Sequence, residues 1–105
     1  MARLPRIIAV DFDGCLVENK YPDIGPANLS VVDAVRREQA RGSKIILWTC
    51  RADAFLCMAI DWCEDQEIRL DAVNENLPEV IEMMGSDSRK VYASEYWDDR
   101  AVTKP

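Results

Sequence analysis

The sequence contains no histidine, so a zinc site of mixed cysteine and histidine ligands cannot be assembled. Its four cysteines, Cys15, Cys50, Cys57 and Cys63, form no C-x-x-C pair, which removes the usual thiolate spacing as well. No apolar run approaches the roughly 20 residues of a membrane span. There is no internal repeat and no low-complexity segment. Positive charge is short: 13 Lys and Arg stand against 19 Asp and Glu, a formal net charge of -6. That balance argues against a broad electrostatic grip on long nucleic acid or on an anionic membrane. It leaves room for a small phosphorylated ligand held by one or two well-placed cations. The first apolar strand follows Met1-Ala2-Arg3-Leu4-Pro5 with no secretory leader ahead of it, so a cytoplasmic setting with reduced thiols is expected.

What is present is an ordinary globular composition, 49% apolar over 105 residues, enough for one core and one domain, 1–105. Arg6 to Val10 reads as a buried strand and Lys44 to Trp48 as a second. A short third strand is expected over Leu70 to Val73, and further short strands at Val91–Ala93 and Tyr96–Trp97. Between them lie helical patterns. One follows Asn28 as N-cap and stops at Gly42. The next is capped by Asp53, with a stripe of Phe55, Leu56, Ala59, Ile60 and Cys63, and both Cys57 and Cys63 are expected in the core. The last has Asn76 and Glu79 spaced as a capping box, Pro78 in the first turn, and Gly85 at its end. Trp48, Trp62 and Trp97 read as core or half-buried packing residues. Alternation of strand and helix predicts an α/β fold: a single Rossmann-like three-layer sandwich with a mainly parallel central sheet and no cap domain. The connection from Cys15 to Pro26 is long and polar, and loops of that length often act as flaps over a site.

In such sheets ligands bind beyond the carboxyl ends of the strands, and the polar clusters fall there. Asp11-Phe12-Asp13-Gly14 follows the first strand, Thr49-Cys50-Arg51 the second, and Asp98-Asp99 the last. Two acids at the exit of a buried strand are costly to hold together unless something positive lies between them. A divalent cation or a phosphate with its metal would serve.

Asp11-Phe12-Asp13-Gly14, Thr49 after Ile45-Ile46-Leu47-Trp48, Lys90, and Asp98-Asp99 resemble, in order and context, the four motifs of the haloacid dehalogenase-like (HAD) phosphohydrolases. The resemblance spans nearly the whole chain and points to a small, capless member; Trp97-Asp98-Asp99-Arg100 is similar to the phosphatase domains of phage polynucleotide kinases. Cys15 departs from the threonine that many members carry, and no glycine precedes the terminal acidic pair. The resemblance implies that Asp11 is the nucleophile that forms an aspartyl-phosphate and that Asp13 is the general acid and base. Thr49 and Lys90 would bind the phosphoryl group, and Arg51 would clamp phosphate or substrate. Mg²⁺ would be held by Asp11, the carbonyl of Asp13, and Asp99 in preference to Asp98, which would then orient Lys90. The implied activity is hydrolysis of a small phosphate monoester, a sugar phosphate or a nucleotide. Capless members leave the site open, to be covered by the substrate or by a second copy of the chain in a homo-oligomer; Lys20 or Tyr21 of the flap would touch the substrate.

Two other readings compete. A receiver-like signalling domain also combines acids, a threonine, a lysine and Mg²⁺, but its phosphoacceptor follows the third strand, where Leu70-Asp71-Ala72-Val73 offers no strand-exit aspartate. A catalytically silent HAD-like interaction module is the other. The bland alternatives are a turn-capping role for the first two acids, an Arg51–Asp53 surface pair, a solvated Lys90, and a polar strand end at Asp98-Asp99.

Overall fold

A computed structural model describes residues 4–98. Asp99, expected as a metal ligand, lies outside the described residues. The elements run β1 (Ile7–Val10), α1 (Leu29–Ala40), β2 (Lys44–Leu47), α2 (Asp53–Asp65), β3 (Ala72–Val73), α3 (Pro78–Met84) and β4 (Glu95–Trp97). The four strands form one all-parallel sheet in the order β3-β2-β1-β4.

The α/β sandwich expected from the alternation is therefore present, and its layers follow from topology. The steps β1 to β2 and β2 to β3 move in one direction across the sheet, while β3 to β4 moves back past β1. Parallel crossovers share one hand, so the first two helices fall on one face and the third on the other. The packing agrees. Ile8, Val10, Ile45 and Leu47 bury against Val32 and Val35 of α1 and Ala59 and Cys63 of α2, whereas Ile7, Ala9 and Ile46 bury against Leu77 and Val80 at α3. β1, at the centre, is fully buried along its length. Each of Ile7, Ile8 and Val10 contributes about 1.5–3 kcal/mol by leaving water, and an unbroken apolar run is what a strand covered on both faces needs. Among the described residues no helix is long and apolar enough to cross a membrane.

Several local expectations need correction. Asn28 occupies the N-cap position of α1 but makes no capping bond; its side-chain amide donates to the Cys15 carbonyl at 2.7 Å, tying the start of the flap to the helix. Asp53 is the first residue of α2, after Ala52 as N-cap, where its charge suits the helix dipole without capping. Cys57 is exposed while Cys63 is buried; one position past Leu56, Cys57 turns off the stripe that Ala59 and Cys63 share. Burial alone pushes the Cys63 thiol up to about 12. Phe55 is 41% exposed and meets Tyr21 of the flap edge-on, 5.7 Å between ring centroids. Of the tryptophans, Trp97 is buried and Trp48 and Trp62 are half-buried.

The largest departure surrounds Asn76. It caps nothing, since Leu77 is the N-cap of α3. Its buried side chain instead donates to Asp87 Oδ1 at 2.7 Å and to the Ser88 carbonyl at 3.2 Å, and accepts from the Tyr92 amide at 2.6 Å. That is why Val91–Ala93 is not a strand: the Tyr92 N–H is spent on Asn76, and pairing with β1 begins only with the Ser94 amide donating to the Ile7 carbonyl. Removing one partner of a buried hydrogen bond strands the other at about 1–3 kcal/mol. Asn76→Ala is therefore expected to lower unfolding stability by about 2–4 kcal/mol in urea denaturation, with amide exchange accelerated at Tyr92.

Candidate functional site

The register decides which residues meet. Val73, Leu47, Val10 and Trp97 are paired across the sheet as one row. The next residue on each chain segment therefore stands at a strand exit: Asn74, Trp48, Asp11 and Asp98, in that spatial order. Asp11 and Asp98 are neighbours in this row, and the Asp11 amide still donates to the Trp97 carbonyl at 2.8 Å. Asp11 Oδ1 accepts from the Phe12 amide at 2.8 Å. Both carboxylates sit half-buried at the carboxyl end of the two strands that flank the point where the strand order reverses, which is where parallel sheets open a crevice.

Past Asp13 the chain turns at Gly14, whose φ of 83° is one that side chains rarely tolerate. Cys15, Leu16 and Val17 then return into the core. The polar flap leaves at Glu18 and returns at Pro26, where the Glu18 amide donates to the Pro26 carbonyl at 2.9 Å. Gly25 is required at this closure, because a Cβ there would stand 2.2 Å from the Glu18 carbonyl oxygen.

A cleft of about 480 Å³ lies between this flap and the strand exits. Asp11, Asp13, Thr49, Cys50 and Arg51 line it from the sheet side, and Asn19 and Tyr21 from the flap. Asp11, Asp13, Thr49 and Arg51 are thus brought together. A groove of equal volume near Ile60, Glu64 and Leu70 contains no strand-exit residue in its lining and offers no comparable convergence.

Thr49 is placed by its backbone: its amide donates 2.8 Å to Asn74 Oδ1, and the Asn74 amide itself donates to the Leu47 carbonyl from a left-handed conformation with φ of 54°. Thr49 Oγ1 accepts from the Arg51 amide at 3.1 Å, which leaves its hydroxyl hydrogen to donate elsewhere. Asn74 is a supporting residue that the motif reading missed. The available signal was its place as the first polar residue after the third apolar run.

Arg51 differs most from its expected role. It neither pairs with Asp53 nor presents donors to a ligand. Its Nε donates to Asp13 Oδ2 at 2.7 Å and its Nη2 to Asp13 Oδ1 at 2.8 Å. The remaining donors go to main-chain carbonyls: Asp23 at 2.9 Å, Pro22 at 3.2 Å and Phe55 at 3.4 Å. All five N–H groups of the guanidinium are used. Its carbon lies 5.0 Å from the Phe12 ring centroid and 5.1 Å from that of Tyr21. The Arg51 side chain is 1% exposed, and the hydrogen bond to Asp13 raises its pKa above the usual arginine value, against the opposing effect of burial. Arg51 is thus the pin that joins Asp13, the flap and the first turn of α2. Both Asp13 oxygens act as acceptors, and that fixes the carboxylate's plane.

Lys90 does not line the cleft. It is exposed, with its ammonium 5.8 Å from the Tyr96 ring centroid, on the 85–92 segment that Asn76 anchors. Lys20 is exposed on the flap but is not part of the cleft wall, whereas Tyr21 is. Among the described residues no three Asp, Glu, Cys or His side chains converge as a metal cluster. Asp11 and Asp98, with the Asp13 carbonyl nearby in sequence, are nonetheless hard oxygen donors of the number that Mg²⁺ takes when water and phosphate complete its shell.

No protein-family model matches the chain, and no curated protein matches it. Among solved structures, a conserved protein of Bacteroides thetaiotaomicron matches with a TM-score of 0.81 and 38% sequence identity, over 94% of this chain and 79% of that one. Identity at that level over that span, on the same arrangement of strands, shows that the chain belongs to the family of that conserved Bacteroides protein.

Proposed function

We propose that the protein is a capless phosphohydrolase of the haloacid dehalogenase-like type that hydrolyses a small phosphate monoester through an aspartyl-phosphate in the cytoplasm. The observation that carries this reading is the strand register, which sets Asp11 beside Asp98 and opens Asp13 and Thr49 onto the same cleft. Asp13 acts as the acid once one of its oxygens has taken a proton and given up its bond to Arg51: Asp11 attacks phosphorus, the ester oxygen leaves with that proton, and the phosphoryl group is then bonded to the Asp11 carboxylate. Water attacks phosphorus in the second step, Asp13 takes its proton, and Asp11 is regenerated with release of inorganic phosphate. Thr49 donates its hydroxyl to a phosphoryl oxygen. Mg²⁺ would be held by Asp11, the Asp13 carbonyl and Asp98 or Asp99, and when bound supplies the positive charge that lets a carboxylate approach a phosphate dianion. The pair with Arg51 aims Asp13 in both steps, through one bond while Asp13 is protonated and through both when it is ionised. Lys90 has no part in the arrangement as it stands.

A receiver-like role is less well supported, because the residue that follows the third strand is Asn74, not an aspartate, and its side-chain oxygen is occupied by the Thr49 amide. The test is phosphate release from an aryl phosphate in the presence of Mg²⁺, with loss on chelation. No release from aryl, alkyl or nucleoside phosphates would contradict the proposal.

A further inference from the structure

Seven large hydrophobic side chains are exposed on the described surface, and three of them, Tyr21, Phe55 and Met58, belong to one corner, the flap and the first turns of α2. Tyr21 and Phe55 touch, and Phe55 and Met58 share a helix face at three-residue spacing. An exposed apolar corner beside a polar cleft marks a binding surface more often than chance packing does.

Tyr21 is the central member. It is 55% exposed, it lines the cleft that holds Asp11 and Asp13, and it is held from three sides. Arg51 lies against it at 5.1 Å, Phe55 meets it edge-on, and its amide donates to Asn19 Oδ1 at 3.2 Å. A ring fixed in this way, yet open to solvent, loses little freedom when a second planar ring stacks on it. Arg51, bonded to Asp13 and 5.1 Å from the Tyr21 ring centroid, ties Tyr21 to the side of the cleft where Asp13 stands.

We infer that Tyr21 is a stacking platform for a planar aromatic ring carried by the substrate's alcohol, which makes the substrate class a nucleoside monophosphate and not a bare sugar phosphate. This rests on the phosphohydrolase reading of the same cleft. Stacking of a base on one aromatic side chain corresponds to about tenfold to a hundredfold in affinity. Base and phosphate could come from a free nucleotide or from the phosphorylated end of a strand; the chain's net charge of -6 disfavours the second, and the experiment separates them.

The experiment is calorimetric binding to Asp11→Asn protein with Mg²⁺, which reads affinity without turnover. The ligands are adenosine 5′-monophosphate, ribose 5-phosphate, and a short oligonucleotide ending in a phosphate. Adenosine monophosphate is expected to bind at least about tenfold more tightly than ribose 5-phosphate. Tyr21→Ala should erase that difference while leaving ribose 5-phosphate affinity unchanged, and Tyr21→Phe should keep it. An oligonucleotide that binds more weakly than the mononucleotide identifies the free nucleotide as the source; tighter binding identifies the strand end. Equal affinity for the nucleotide and the sugar phosphate overturns the inference, as does an equal loss of both in Tyr21→Ala or absence of binding by either. Wild-type protein that releases phosphate from esters with no preference for the base refutes the platform alone. Nucleotide binding with no phosphate release by wild-type protein refutes the phosphohydrolase and leaves the platform standing.

Discussion

Asp11→Asn is expected to reduce phosphate release by roughly a thousandfold or more in kcat, because the substitution removes the attacking group itself and not an aid to it. The change is close to isosteric. The carboxamide would retain an oxygen able to accept from the Phe12 amide, as Asp11 Oδ1 does at 2.8 Å, and β1 beneath it stays buried in the sheet. The urea midpoint should therefore move little while activity is lost. Near-normal turnover by the Asp11→Asn variant would remove Asp11 from the chemistry and return the strand-exit acids to a turn-capping role.

Arg51→Met carries the second large effect, and it has two parts. A guanidinium that is 1% exposed, paired with a carboxylate that is 16% exposed, cannot be removed without leaving Asp13 half-buried and unmatched, at a cost of about 3 kcal/mol or more. The flap loses its ties at Pro22 and Asp23 in the same step. The chemical part is more diagnostic. If Arg51 acts by aiming Asp13, then esters that need a proton on the leaving oxygen suffer most. An alkyl phosphate should lose about a hundredfold in kcat/KM, whereas a nitrophenyl phosphate, whose leaving group departs without help, should lose only a few-fold. A uniform loss on both esters would make Arg51 a structural pin with no hold on the acid. Arg51→Lys keeps one charge but not the five-donor fork, so it should resemble Arg51→Met in leaving-group dependence and be closer to wild type in stability.

Much of this arrangement is legible in the sequence because strand exits are marked by chemistry. β1 and β2 are apolar runs ended by carboxylate or hydroxyl residues, and helix–strand alternation implies that those ends lie together. Less legible are features that depend on long-range partners. Arg51 looks like a phosphate clamp because it follows Thr49 by two residues; only the fold brings Asp13 and three carbonyls around it. Asn76 has the spacing of a capping residue, yet the 85–92 segment competes for its amide and wins with three hydrogen bonds. The same competition removes the strand expected at Val91–Ala93, while the one expected at Tyr96–Trp97 is present as β4, and Lys90 is left over Tyr96. Phe55 belongs to the apolar stripe of α2 by periodicity, but the flap offers it Tyr21 at the surface. In each case local pattern gives way to a tertiary contact that no window of a few residues contains.

The acyl phosphate at Asp11 is the species on which the proposed chemistry depends. Wild-type protein mixed with substrate and Mg²⁺, quenched during turnover and reduced with borohydride, should yield homoserine in place of aspartate at position 11 when the peptides are read by mass spectrometry. Phosphate release with Asp11 intact after reduction, or with the modification at another residue, would contradict it.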